Sequence, residues 1–193
     1  MKKTQILQII KVCKIMFSYD CSFLLVQATT TIKEKDLSRT IFVRNLISYE
    51  KSWYENGRRY SERTWKNGLK EGLERWWHEN GQKSFKCNWK NGKEEGLEQQ
   101  WHENGQKFAE RTWKNGLQDG LEQEWYKNGR KFVERTWKNG KREGLERQWY
   151  KNGRKYIECT WKNGKKDGLE QEWYENGQKS VECTWKNGLE EVV

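Results

Sequence analysis

Trp65-Lys66-Asn67-Gly68-Leu69-Lys70-Glu71-Gly72-Leu73-Glu74 decides the fold, because nearly everything after residue 53 is a copy of it. The Trp-Lys-Asn-Gly tetrad returns at Trp89, Trp113, Trp137, Trp161 and Trp185, each 24 residues after the last. A second series, Trp53, Trp77, Trp101, Trp125, Trp149 and Trp173, falls midway between, and an Asn-Gly follows each Trp two or three positions later. Twelve of the thirteen Trp lie on this lattice, with Trp76 off it. A fixed period of this size is the signature of a repeat array.

Asn-Gly between short alternating segments is a strong hairpin signal, since both residues tolerate positive φ. The chain has no Pro, so no strand loses a ladder donor. Each 24-residue unit is therefore expected to hold two strands and two turns. Treating Lys66–Glu71 as one loop sets Trp65 opposite Gly72, and the Asn80-Gly81 turn then sets Gly72 opposite Trp89. Equivalent residues line up under this choice. A strict two-residue turn at Asn67-Gly68 would instead shear the sheet by two residues per repeat. The fold class that follows is all-β: an elongated, single-layer antiparallel sheet of tandem 24-residue β-hairpins.

Three rows cross this expected sheet. One alternates Trp and Gly, from Trp65 and Gly72 to Trp113 and Gly120. A second is an ion-pair ladder through Arg63, Glu74, Cys87, Glu98, Arg111, Glu122, Arg135 and Glu146. A third is an aromatic stripe from Tyr60 through Trp101, Phe108, Trp125, Phe132, Trp149 and Tyr156 to Trp173. Because side chains alternate across the pleat, the first and third rows fall on opposite faces.

Composition bounds the rest. Hydrophobic residues are 33% and charged residues 34%, a balance that suits disorder, but thirteen Trp argue for an ordered, thin structure. The net charge of +10 divides into +4 for residues 1–50 and +6 for the repeats, where the two signs alternate as on a solvated sheet face. Nucleic acid is accordingly not the expected partner. The five Cys show no paired spacing and do not read as a disulfide framework. Cys87, Cys159 and Cys183 occupy the slot that Arg63, Arg111 and Arg135 fill elsewhere. Cys159 and Cys183, two strands apart at roughly 9.6 Å, stand beyond disulfide reach. They are expected to be surface or half-buried thiols in a reducing compartment, which points to the cytoplasm.

Residues 1–36 differ in texture. Lys2 and Lys3 precede an apolar run, and Val26-Gln27-Ala28 has the form of a signal-peptidase site, which would mean export. Lys11, Lys14 and Asp20 interrupt that run, and no stretch approaches the ~20 apolar residues of a membrane span. Ile6, Ile10, Cys13 and Phe17 sit at helical spacing, so an amphipathic helix or a surface membrane anchor are the competing readings. The array proper is expected over 37–193. Its first repeat, 37–52, is degenerate: Arg39-Thr40-Ile41 matches Arg63-Thr64-Trp65, but Val43 and Arg44 replace Asn-Gly. Val192 fills the slot of Gly168, and atypical terminal units suit the capping of an open array.

The unit Trp65–Gly72 and its copies resembles the MORN repeat. The half-unit Trp173-Tyr174-Glu175-Asn176-Gly177 is more specifically similar to the MORN-repeat variant found in YwqK-family antitoxins and in arrays of protists and large DNA viruses. The resemblance covers residues 53–189 well and 37–52 poorly. It implies hairpin arrays used as scaffolds for oligomerisation or for partner and membrane contact, and it fixes no catalytic residues; from the residues themselves no metal or cofactor is expected.

The residues agree with a non-enzyme. His78 and His102 share a slot with Tyr54, Tyr126, Tyr150 and Tyr174 and read as turn-flanking surface residues. Five equivalent glutamates, Glu74, Glu98, Glu122, Glu146 and Glu170, are a ladder rather than a unique catalytic constellation. The first functional expectation is a scaffold for a protein partner, antitoxin-like in one form, with Trp101, Phe108, Trp125, Phe132, Trp149 and Tyr156 as its contact surface. The alternatives are a module for anionic phospholipid surfaces and an exported glycan-binding repeat protein. Exposed edges also suit self-association.

Overall fold

The computed structural model describes residues 28–34, 37–44 and 47–191, with side chains from residue 47 onward. The helix, signal or anchor considered for residues 1–27 lies outside them. The chain opens with β1 (Ala28–Glu34), β2 (Leu37–Arg44), β3 (Ile47–Tyr54) and β4 (Arg59–Lys66). The next repeats give β5 (Leu69–Lys70), β6 (Gly72–Trp77), β7 (Lys83–Lys90), β8 (Lys93–Trp101), β9 (Lys107–Lys114) and β10 (Leu117–Trp125). Then follow β11 (Lys131–Lys138), β12 (Lys141–Arg142), β13 (Gly144–Trp149), β14 (Lys155–Lys162), β15 (Lys165–Trp173), β16 (Lys179–Lys186) and β17 (Leu189–Glu191). All belong to one antiparallel sheet in which each strand pairs with its neighbours in the chain. No helix occurs among the described residues. The sheet reaches back to Ala28, earlier than the lattice itself begins.

The expected six-residue loop at Lys66–Glu71 is not what forms. Asn67 (φ 52°) and Gly68 (φ 79°) make a two-residue turn of the mirror-image type I class, pairing Lys66 with Leu69 and Trp65 with Lys70. Further along, Ser61 pairs with Trp76 and Glu62 with Arg75, two residues out of step with the turn. Glu71 keeps the register of the turn, its N–H donating to Thr64 O at 2.9 Å, so the two surplus residues are Gly72 and Leu73, and Gly72 takes a φ of 77°, which a side chain would resist. A bulge therefore cancels the shear that a tight turn alone would produce. The straight ladder survives, reached by a turn plus a bulge. Gly72 pairs with Trp89 as expected.

The second Asn-Gly series makes a different turn. His78 N–H donates to Gln82 O at 2.8 Å and Gly81 N–H to His78 O at 2.8 Å, so Gly81 alone is left-handed, at φ 89°. This is a type I turn closed by a glycine bulge. Its consequence is a one-residue shift that sets Trp77 opposite Lys83, and likewise Trp101 opposite Lys107. In the degenerate first repeat, β2 and β3 pair without a bulge, and the slot of Gly72 holds Ser48.

The two tryptophan series do lie on opposite faces. Trp137 Nε1 donates to Glu122 at 2.6 Å, on the row that includes Arg135. Lys131, which stacks on Trp149, pairs with Glu134, the residue beside Arg135 and hence on the other face. The buried residues gather on the Glu122 face: Cys87, Ala109, Val133 and Cys159, with Ser52, Ser61 and the repeating glutamates.

Candidate binding surfaces

A core built on carboxylates is the first unusual feature. Glu74, Glu98, Glu122, Glu146 and Glu170 are 1–6% exposed, so each needs a cation and hydrogen bonds to stay ionised. Glu122 lies between Arg111 (2.8 Å) and Arg135 (2.6 Å) and also accepts from Trp137. Burial works to raise its pKa, but these donors outweigh burial and hold the carboxyl at about 2. Glu98 has Arg111 at 3.0 Å. Where Cys replaces the ladder arginine, the cation comes from four residues upstream. Lys70 reaches Glu74 at 2.9 Å, Arg142 reaches Glu146 at 3.2 Å and Lys166 reaches Glu170 at 2.5 Å. The corresponding positions beside Glu98 and Glu122 are Glu94 and Gln118, where ladder arginines already suffice. The expected ladder is thus real but broken at each Cys and repaired from outside it.

Of the three array thiols, Cys183 is half-buried as expected and the other two depart from expectation. Cys87 and Cys159 are fully buried rather than superficial. Burial first, then neighbouring glutamates, push Cys87 up to about 12 and Cys159 up to about 11, so both stay protonated and unreactive at neutral pH.

Both long edges of the sheet are stacks of turns. Along the tetrad edge, the acid before each bulge glycine accepts the backbone N–H of the next turn's Asn. Glu71 takes Asn91 N–H at 2.8 Å, Glu95 takes Asn115 N–H at 2.8 Å, and Asp119 takes Asn139 N–H at 3.0 Å. Along the other edge, the Asn of every turn from Asn56 to Asn152 donates to a carbonyl of the next turn, as Asn104 Nδ2 does to Lys127 O at 3.0 Å. The Tyr/His slot does the same from inside: Tyr126 Oη donates to Trp149 O at 2.8 Å, and His78 Nε2 lies 2.8 Å from Trp101 O. The histidines are therefore half-buried inter-repeat ties, not loose surface residues.

The aromatic stripe does not form as a continuous row. Phe108 is the residue that the glycine bulge leaves unpaired, between Ala109 (opposite Gln100) and Lys107 (opposite Trp101). Its ring packs against His102, as Phe132 packs against Tyr126 and Tyr156 against Tyr150, at 4.9–5.1 Å between centroids. Trp125 and Trp149 are covered instead by Lys107 and Lys131. So Trp101, Trp125 and Trp149 form one set, and Phe108, Phe132 and Tyr156 another beside it. Phe108 and Tyr156 are the more exposed members.

Sequence reasoning missed the clefts on the opposite face. Successive tetrad indoles wall a cleft of about 490 Å³ between Trp137 and Trp161, with Lys141, Arg142 and Lys165 in its lining. A second, of about 640 Å³, lies between Trp161 and Trp185 beside Lys165 and Lys166. Arg142 sits 4.6 Å from the Trp161 ring and Lys166 4.8 Å from that of Trp185. Among the described residues, no cluster of His, Cys, Asp or Glu is arranged to hold a metal, and no helix is long and apolar enough to cross a membrane.

The chain is similar to the MORN repeat variant over five tandem segments, 70–91, 94–115, 118–139, 142–163 and 166–187, together more than half its length. No curated protein matches it.

Proposed function

The chain belongs to the MORN repeat variant family, and on that footing we propose that it is a non-catalytic scaffold whose repeat-specific surface residues bind a protein partner. That it is a repeat scaffold follows from the family and the sheet. One observation supports the finer reading. The slots that are constant from repeat to repeat are mostly consumed in architecture: the tetrad Trp series, both Asn-Gly pairs, the bulge glycine, the acid before it and the buried glutamate. Some slots vary inside the sheet, such as that of Ser61, Ala109 and Val133, but others vary at exposed turns, as Leu69, Lys93, Leu117, Lys141, Lys165 and Leu189 do. An enzyme concentrates its distinctive residues in one desolvated constellation. Here individuality is spread over a surface, as recognition requires. An antitoxin role would be one case of such stoichiometric binding.

The contact surface belongs to Trp101, Trp125 and Trp149 with Phe108, Phe132 and Tyr156 beside them, since aromatic anchors dominate interfaces. Affinity capture with the full-length chain from source cells tests this. One partner recovered near stoichiometry, and lost with Trp101→Ala/Trp125→Ala while the far-ultraviolet spectrum is unchanged, is the expected result. Recovery of the bait alone, or capture indifferent to the double substitution, would overturn it.

A further inference from the structure

The positive charge of this chain is not spread along the lattice. Residues 127–166 hold fourteen Lys/Arg against four Asp/Glu, a net +10 equal to that of the whole protein, while residues 167–193 hold two against seven. Most strand cations of the block are paired: Lys131 with Glu134, Arg135 with Glu122, Arg142 with Glu146, Lys155 with Glu158, and Lys166 with Glu170. The tetrad-edge cations Lys138, Lys141, Lys162 and Lys165 are exposed and meet no carboxylate among the described residues. Of these, Lys141 and Lys165, in one slot of successive repeats, line the two indole-walled clefts.

Resting on the scaffold reading, we propose that the tetrad edge from Trp137 to Trp185 binds an extended acidic segment of a protein partner. Charge complementarity selects acid, and pitch selects a polypeptide. Lys141 and Lys165 hold the same slot one repeat apart, which is two strand spacings, roughly 9.6 Å. A polyproline-II chain rises ~3.1 Å per residue, so its every third side chain recurs at about 9.3 Å. Carboxylates at that spacing meet successive lysines, while the residues between them rest against the indole walls. Single-stranded nucleic acid fits less well. It stacks its bases on open aromatic faces, whereas Arg142 and Lys166 already occupy those of Trp161 and Trp185. A membrane presents a plane, which a line of lysines flanking recessed clefts does not match.

The test is fluorescence anisotropy of the full-length chain with a labelled peptide of about fifteen residues repeating Glu-Pro-Ala. Oligo-dT and phosphatidylserine-containing vesicles serve as competing probes. The peptide binds, more weakly as salt rises, and Lys141→Glu/Lys165→Glu reduces its affinity at least about tenfold. Lys90→Glu/Lys93→Glu, an equal charge change at exposed positions outside the block, leaves it within about twofold. Both variants keep the wild-type spectrum and melting temperature. Peptide binding indifferent to Lys141→Glu/Lys165→Glu overturns the proposal. So does binding of only the oligonucleotide or the vesicles, or of no probe. Self-association lost in that variant would place the acidic residues 167–193 of a second copy on the edge and equally overturn it. A captured partner retained by Lys141→Glu/Lys165→Glu sinks this inference alone, whereas capture of no partner by the wild type sinks the scaffold reading.

Discussion

Glu122 is a heavily supported buried carboxylate, with two arginines and an indole on it. Removing its charge leaves Arg111 and Arg135 short of a shared counter-ion, and breaking a buried pair in this way costs about 3–5 kcal/mol. Arg111 keeps Glu98 and Glu124, so Glu122→Gln should fall at the lower end of that range. The pH dependence follows from the sign of the shift. A carboxyl held at about 2 in the folded chain, against an ordinary value near 4.5, contributes stability that is complete above the ordinary value and fades as pH falls toward 2. Urea midpoints of wild type and Glu122→Gln, compared from pH 7 to pH 2, should therefore converge on the acid side. A gap that stays constant to pH 2 would show that the ionised carboxylate is not what matters.

The two hairpin turns show how one dipeptide is read twice. Asn115 adopts φ 53°, so its value is conformational, and Gly can replace it. Asn104 is not left-handed. Its side chain donates to Lys127 O and accepts from Gln106 N–H, so its value is two hydrogen bonds. We predict that Asn115→Gly is tolerated within about 0.5 kcal/mol, while Asn115→Ala costs about 1–2 kcal/mol. Asn104→Gly and Asn104→Ala should cost similar amounts, about 1–2 kcal/mol each. Thermal melts of the four variants decide it, and an equal penalty for Ala at both sites with Gly harmless at both would refute the distinction. This also marks what the sequence made legible. Period, strand count per repeat and the Glu–Arg row were readable because they depend on spacing alone. The bulges at Gly72 and Gly81 were not, because a glycine states that positive φ is allowed, not which neighbour it is opposite. The error carried straight into the site: a one-residue shift at each Trp101-type position was enough to turn an aromatic stripe into two sets.

At the scale of the molecule, each repeat touches its neighbours and little else, so stability should behave as a sum of units and junctions. Deleting residues 96–119 joins Glu95 to Gly120 in the same lattice slot. The shortened chain is expected to keep its β spectrum with a lower urea m-value, since m follows the surface exposed on unfolding. Deleting residues 96–118 instead places Asp119 in a glycine slot and should abolish cooperative unfolding. Equal behaviour of the two deletions would contradict the bulge-corrected register. The basic block was also within reach of the sequence, through a running charge count instead of a total, but its bearing on a cleft needed the turn geometry. The cation that rescues Glu74, Glu146 and Glu170, whose hairpin partner is a Cys, carries a last consequence, one of descent. When a duplicated unit loses its internal arginine, the charge does not vanish but moves outward, to Lys70, Arg142 or Lys166. A hidden substitution thereby redraws the visible face, and sister units can diverge in what they greet while remaining identical in what they stand on.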